Sequence, residues 1–370
     1  MRQQYPIIPS LPDIALRQIF SYLSYRELCR VERVCRRWMN IIQYIMRRDI
    51  HEITIERLGE TSPSAVQLIT FRRLAVSCPR DAFDFLSGVI RRSRLSIVRM
   101  TIDLEFLSNI GKIRISKEER RKYFSNVEDL WLLVTCCQDN IVDRLLEIEE
   151  MLFSEIQHLT LQVHIFPHLN RNVGRVVWAF SRRHPKATIN LELHAAKSTM
   201  IFDQLCDLSC LVLNNFKIIC SEFDLPQLKL DQLYYTMKNQ NIVAKNITIR
   251  DWTLTADGTS PIVYNPLDTF RISSCTIETV DNLVKCLLMT VAQVKAVKKK
   301  VPYIKRLEIA GHCVLYGLQF LEVNFLEIKN KAHTELAKRL GTAIPDLEVD
   351  CSEIYYCCLL ARVYSLTNGK

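Results

Sequence analysis

The sequence predicts an α/β fold: an all-helical segment over residues 1–50, then a long body in which short parallel strands alternate with helices. Two observations predict it. The N-terminal fifty residues carry apolar side chains at helical spacing, and a frame of three aliphatic places, LxxLxL, recurs twelve times between residues 50 and 349. At 370 residues the chain exceeds one ordinary core, and with 48% hydrophobic and 24% charged residues it is neither a disordered chain nor a fibre.

The first element is the run LPDIALRQIFSYLS, which places Leu11, Leu16, Ile19, Phe20 and Leu23 on one helical stripe. Pro12 suits a first helical turn, with Ser10 before it as a candidate N-cap. Ser24 and Glu27 form a capping box that opens a second helix, along which Leu28, Val31, Val34, Cys35, Trp38 and Ile41 follow at three- and four-residue steps. The expected element is a helical hairpin with a wide apolar face. So short a segment cannot bury that face within itself, so part of it meets either the body downstream or another molecule.

The order of these residues, a Leu-Pro opening, Leu16, Ile19-Phe20, Leu23, Glu27-Leu28, Val31, Val34-Cys35 and Arg37-Trp38, closely resembles the F-box, a three-helix motif, over about residues 9–50. The resemblance implies docking onto a Skp-family adaptor and through it onto a cullin-RING ubiquitin ligase. Carried over position by position, the adaptor contacts are Leu11, Pro12, Leu16, Ile19, Phe20, Leu28, Val31, Val34 and Trp38, while Leu23 and Cys35 are candidates for holding the helices to one another.

The body opens with Ile50-Ile53-Ile55, Ile97-Met100-Ile102, Val127-Leu130-Leu132 and Ile156-Leu159-Leu161. The frame continues as Leu208-Leu211-Leu213, Leu225-Leu228-Leu230, Leu267-Phe270-Ile272, Ile304-Leu307-Ile309, Val323-Leu326-Ile328 and Ile344-Leu347-Val349, with relaxed copies at Thr188-Leu191-Leu193 and Ala244-Ile247-Ile249. Helix-like stretches lie between: 65–78, 81–92, 140–153, 173–183, 280–300 and 333–340. The segment 257–266, with Gly258, Pro261 and Pro266, reads as a protruding loop.

This alternation resembles leucine-rich repeats over residues 51–352, with 353–370 as a C-terminal cap. The resemblance implies an irregular solenoid with a parallel sheet on its concave face. The family's Asn or Cys, three residues after the last leucine, is matched only by Cys275. Residues between the aliphatic places fall on the opposite strand face. They make Trp131, Arg250, Arg271, Arg306 and Phe325 the candidate target contacts, since aromatic and Arg anchors are what binding surfaces favour. Trp252 reads as buried under a neighbouring copy. The three arginines fall at equivalent places in nearby copies, either to receive an anion or to pair with Glu308 and Asp251.

Chemistry of other kinds finds no support. With nine glycines there is no GxGxxG, GxxxxGK[ST] or GxSxG, so no catalytic centre and no cofactor is expected. The fourteen cysteines contain no CxxC pair and read as reduced apolar residues, and His158, His164 and His168 read as exposed turn residues rather than a metal site. The longest apolar stretches, such as 130–134, are far short of a membrane span, and the N-terminus lacks a signal peptide's apolar centre, so an intracellular protein is expected. Residues 1–125 hold 23 Lys/Arg against 13 Asp/Glu, whereas 126–370 hold 26 against 27. The positive first third fits an acidic adaptor better than nucleic acid, because no aromatic-basic strip recurs. The expectation is therefore a non-catalytic target receptor of a Skp-cullin-F-box ubiquitin ligase. A ligase-independent scaffold, and less so a nucleic-acid-associated protein, stand as the alternatives.

Overall fold

The structure, a computed structural model, describes residues 11–56, 65–69, 88–89, 91–93, 97–108, 116–135, 143, 153–154, 156–165, 173–222, 225–278, 282–283, 285–286, 289, 304–311, 314–315 and 348–354. The chain divides into two compact units, one of residues 1–132 and 143–157, the other of 133–142 and 158–370. The N-terminal helices thus share a unit with the first strands.

In the first unit, α1 (Asp13–Phe20) buries Leu16 and Phe20, and the Pro12 carbonyl accepts its first backbone bond, from Leu16 at 3.1 Å. Pro12 stands at the N-cap rather than within the first turn, and Ser10 lies outside the described residues. The capping box is present at α2 (Tyr25–Val31): Ser24 Oγ accepts from the Glu27 amide, and the Glu27 carboxylate accepts from the Ser24 amide at 2.7 Å. The expected single second helix breaks. The chain turns after Val31, Cys35 is extended at φ −160°, ψ 164°, and α3 (Arg36–Asp49) starts afresh, burying Ile41, Ile42, Ile45 and Met46. The segment is therefore three helices, and Cys35, exposed at the break, does not hold them together. What does is the edge-to-face contact of Phe20 and Trp38, centroids 5.2 Å apart, and the bond from Arg37 to Asp13 at 2.8 Å.

Strands β1 (Glu52–Glu56), β2 (Ala65–Ile69), β3 (Arg99–Asp103) and β4 (Asp129–Val134) follow, in sheet order β4-β3-β1-β2. β1 and β3 are parallel, whereas β2 runs antiparallel to β1, so the expected helix over 65–78 begins instead as a strand. Periodicity alone cannot separate a short apolar run in a strand from one in a helix. After β3, buried Asp103 caps α4 (Leu104–Ser108), its carboxylate accepting from the amides of Glu105 and Phe106 at 2.9 and 3.3 Å. α5 (Lys117–Phe124) precedes β4 and brings Phe124 against Phe153.

In the second unit, β5 (His158–Ile165), β6 (Thr188–Ala195), β7 (Val212–Cys220), β9 (Val243–Arg250), β11 (Leu267–Ser273), β13 (Ile304–Gly311) and β15 (Glu348–Ile354) form a wholly parallel array in that order. A second parallel sheet takes β8 (Gln227–Lys229), β10 (Thr253–Thr255), β12 (Thr276–Ile277) and β14 (Val314–Leu315). Parallel neighbours need crossovers, and α6 (Val173–Arg183) and α7 (Ser198–Cys206) supply them between β5 and β6 and between β6 and β7, while β8 with α8 (Leu230–Asn239) makes the connection from β7 to β9. Between the paired long and short strands, Asp251 and Ser274 adopt left-handed backbone at φ 63° and 53°, turning the chain from one sheet into the other.

Among the described residues of this unit, the aliphatic frame positions Leu159, Leu161, Leu191, Leu193, Ile247, Ile249, Phe270, Ile272 and Leu307 are all buried. Two copies are displaced from expectation. On β7 the positions in register with Leu191 and Leu193 are Phe216 and Ile218, so the working frame is Leu213-Phe216-Ile218, five residues beyond Leu208-Leu211-Leu213. The Leu225-Leu228-Leu230 copy is β8 of the second sheet and the start of α8. Val323-Leu326-Ile328 lies outside the described residues. The 257–266 loop does not protrude: Ser260, Ile262, Val263 and Asn265 are buried, and the Asn265 amide donates to the Ala244 carbonyl at 2.9 Å.

Candidate functional site: the helical edge and the polar sheet face

The three N-terminal helices sort the predicted adaptor contacts by exposure. Leu11 (51%), Ile19 (47%) and Val34 (63%) stand in solvent, as does Pro12. Leu16, Phe20 and Leu28 are interior residues with 3–7% exposure, and Val31 and Trp38 are half-buried. The buried three hold the helices together and present no docking surface of their own. Two residues missed in the sequence join the exposed edge, Ile14 (79%) and Tyr22 (70%). Along α1 the exposed apolar set Leu11, Ile14, Ile19, Tyr22 steps by three, five and three, the signature of a second stripe beside the buried one. A helix apolar on two sides is either buried or docked.

An ion pair fixes this element to the rest of its unit. Both Arg92 guanidinium edges meet the Glu32 carboxylate, Nε at 2.9 Å, and Arg92 also donates to the Gly88 carbonyl at 3.0 Å. Glu32 is 10% exposed and sits just past α2, so the bond is charge-assisted and shielded from water. Burial pushes the neighbouring Tyr25 hydroxyl and Cys29 thiol up, so both stay protonated at neutral pH.

On the parallel array of the second unit, the face opposite the aliphatic frame is polar and arranged in rows by register. Thr160, Asn190, Asn215, Asn246, Thr269 and Arg306 are successive partners across the strands. Asn246 donates to Asn215 at 3.1 Å, Asn215 to Asn190 at 2.8 Å, and Asn190 to the Thr160 hydroxyl at 3.2 Å, a side-chain ladder. The next row runs Gln162, Glu192, Lys217, Thr248, Arg271, Glu308. There Lys217 bonds the buried Glu192 carboxylate. Burial alone would raise the Glu192 pKa, but His194, 3.8 Å away, and the bond from Lys217 outweigh it and hold it below the usual range. The third row starts with His164 and His194, rings stacked with centroids 4.6 Å apart. Burial first, and the facing His194 second, push the His164 imidazole below its ordinary value.

This register corrects the arginine expectation. Arg306 lies opposite Thr269, Arg271 opposite Glu308, and Arg250 opposite Ser273, so the three occupy three different rows and do not stack. Arg271 (3.2 Å) and Arg306 (2.8 Å) share Glu308, and Arg250 meets Asp251 at 2.9 Å, which is the local pairing. Trp131 is exposed on β4, Trp252 is fully buried as expected, and Phe325 lies outside the described residues. His158 and His164 are residues of β5, not of a turn, and His168 is outside the described residues. Among the described residues no group of three His, Cys, Asp or Glu could hold a metal ion, and no helix is long and apolar enough to cross a membrane. Cys275 behaves as its position implies: buried, its thiol donates to the carbonyls of Ser273 (3.3 Å) and Ile249 (3.6 Å) at the strand exit.

A three-helix element with a capped second helix and an exposed apolar edge, joined to a strand-rich body, defines a docking module on a larger body. The family described as F-box-like matches residues 8–49. An uncharacterized F-box protein of Caenorhabditis elegans is 53% identical over 392 aligned residues, covering 95% of this chain and 98% of that protein. The chain belongs to the F-box proteins, whose F-box domains bind Skp-family adaptors within Skp-cullin-F-box complexes and which are typically non-catalytic receptors.

Proposed function

We propose that this chain is the target receptor of a Skp-cullin-F-box ubiquitin ligase, binding the adaptor through Leu11, Pro12, Ile14, Ile19, Tyr22 and Val34 and a protein target through its body. The observation that carries the reading is the second, exposed apolar stripe on α1 beside the stripe that closes the motif. The body is read as an irregular leucine-rich-repeat solenoid over 51–352. In support stand the parallel array, the frame repeated in register, the second parallel sheet and Cys275 at the strand exit. The target surface is read as the polar strand face of the second unit, and exposed Trp131 on β4 of the first unit is a separate candidate anchor. Such a receptor performs no chemistry: it raises the effective concentration of target near the ubiquitin-loaded enzyme.

Affinity purification of the full chain tests this. Recovery of a Skp-family adaptor together with a cullin, abolished by Ile14→Asp with Tyr22→Asp, is the expected result. Recovery of adaptor without cullin would favour a ligase-independent scaffold, and recovery of neither would overturn the reading.

A further inference from the structure

In the second unit a groove of about 260 Å³ runs between α6 and the loop 207–211. Val177, Leu208 and Leu211, all buried, form its floor, and Trp178 forms a wall. Trp178 is 56% exposed, whereas Trp252 is fully buried, so this indole is a large apolar group that the fold itself does not use. It is nevertheless held in place: the Arg182 guanidinium lies over its ring, 4.7 Å from the centroid. The groove is also close-fitted. A Cβ built on Gly174, in the first turn of α6, would stand 2.4 Å from the Asp207 carbonyl oxygen, so helix and loop approach as closely as backbone permits.

Charge selects the occupant. The sequence of α6 carries Arg175, Arg182 and Arg183 and no carboxylate, and Asp207 is the one acid among the described lining residues. We propose that this groove grips an acidic segment of a protein target, seating one aromatic or aliphatic side chain against Trp178 while flanking carboxylates face Arg175 and Arg182. Arg and Trp together also suit single-stranded nucleic acid. The floor of Val177, Leu208 and Leu211, however, is aliphatic and buried, which suits an apolar side chain, whereas single-stranded nucleic acid is gripped by a basic groove along its backbone with aromatic stacking platforms. The proposal rests on the receptor reading and says where that receptor holds its target.

The test pans a random peptide display library on the full chain, and resynthesises the recovered peptides for titration. The expected peptides carry Glu or Asp around an apolar residue, and Trp178→Ala weakens them by about tenfold or more, the effect of losing an aromatic anchor. Arg182→Glu should invert the preference toward a Lys-flanked version of the same peptide. Because Arg182 is exposed, this variant decides the matter if Trp178→Ala shifts the melting temperature. Peptides that bind both variants like the parent chain, basic peptides, no peptides, or a poly-U strand that binds with the same Trp178 dependence would each overturn the proposal. Adaptor capture, measured on the same variants, should be unchanged. Its failure in the parent chain would instead count against the F-box reading alone.

Discussion

Gly174 is a residue whose role rests on one distance. With the Asp207 carbonyl oxygen 2.4 Å from where a Cβ would stand, Gly174→Ala must push α6 off the loop, and such overpacking costs about 1–3 kcal/mol. A lowered melting temperature with unchanged adaptor binding is the expected readout. Two titrating residues set a second prediction. His164 has a lowered folded pKa, so it contributes stability above its ordinary value of 6.5, and that contribution is lost as the pH falls through the folded value. Glu192, also lowered, contributes above 4.5 and is lost further down. Melting temperatures should therefore fall as the pH drops below about 6.5, and His164→Gln should flatten that part of the curve; an identical slope in the mutant would refute the assignment. At this scale the sequence was partly legible. Cys275 could be placed because its role depends on its own strand exit; for Arg250, Arg271 and Arg306 the partners Asp251 and Glu308 were legible, but the rows were not, because they depend on register between distant segments.

Among the elements, the Asn ladder explains why β7 uses one frame and not the other. The run LSCLVLNNFKI satisfies LxxLxL twice, from Leu208 and from Leu213. Only the second sets Asn215 beside Asn190 and Asn246 while burying Phe216 and Ile218. Hydrophobic spacing was ambiguous here, and cross-strand polar pairing decided the register. Asn215→Leu removes one of two partners from both Asn190 Oδ1 and the Asn246 side-chain amide, Asn214 keeping the second at 3.5 and 3.2 Å, so a loss of about 0.5–1.5 kcal/mol per bond is expected. The comparable change at exposed Lys245, one residue before Asn246 on β9, should be nearly neutral. The helices were read with unequal success. The Ser24–Glu27 box fixes the start of α2 locally, but spacing alone hides the break before α3, because Val34, Cys35 and Trp38 keep helical steps across it and only the resemblance to a three-helix motif implies it. The strand at 65–69 was missed for the complementary reason, since its partner β1 settles what its own apolar run leaves open. Arg92→Ala tests the anchoring of the helical element. It strands the nearly buried Glu32 carboxylate, which should cost about 3 kcal/mol and loosen the F-box from its unit, seen as faster amide exchange across α2.

For the whole molecule, the proposed adaptor binding predicts that charge acts on its rate and apolar surface on its lifetime. The net charge of +9 resides in the first third of the chain, 23 Lys/Arg against 13 Asp/Glu over residues 1–125, the third that carries the F-box. An acidic adaptor approaching that surface is steered by a field that salt screens over about 8 Å at physiological ionic strength. The contacts proposed to hold it then, Leu11 and Pro12 among them, are apolar, and apolar contact is insensitive to screening. Surface-plasmon measurements on the full chain should therefore show the association rate falling steeply with added salt while the dissociation rate barely moves. Leu11→Ala with Pro12→Ala should do the reverse, raising the dissociation rate and weakening docking by about 2–4 kcal/mol with the salt dependence of association retained. Phe20→Ala separates docking from folding, because Phe20 is interior: it should lower the melting temperature of the helical element along with adaptor binding, whereas the Leu11 and Pro12 pair should lower binding alone. A double mutant at Leu11 and Pro12 that binds as tightly as the parent chain would show that the exposed stripe on α1 is not the dock.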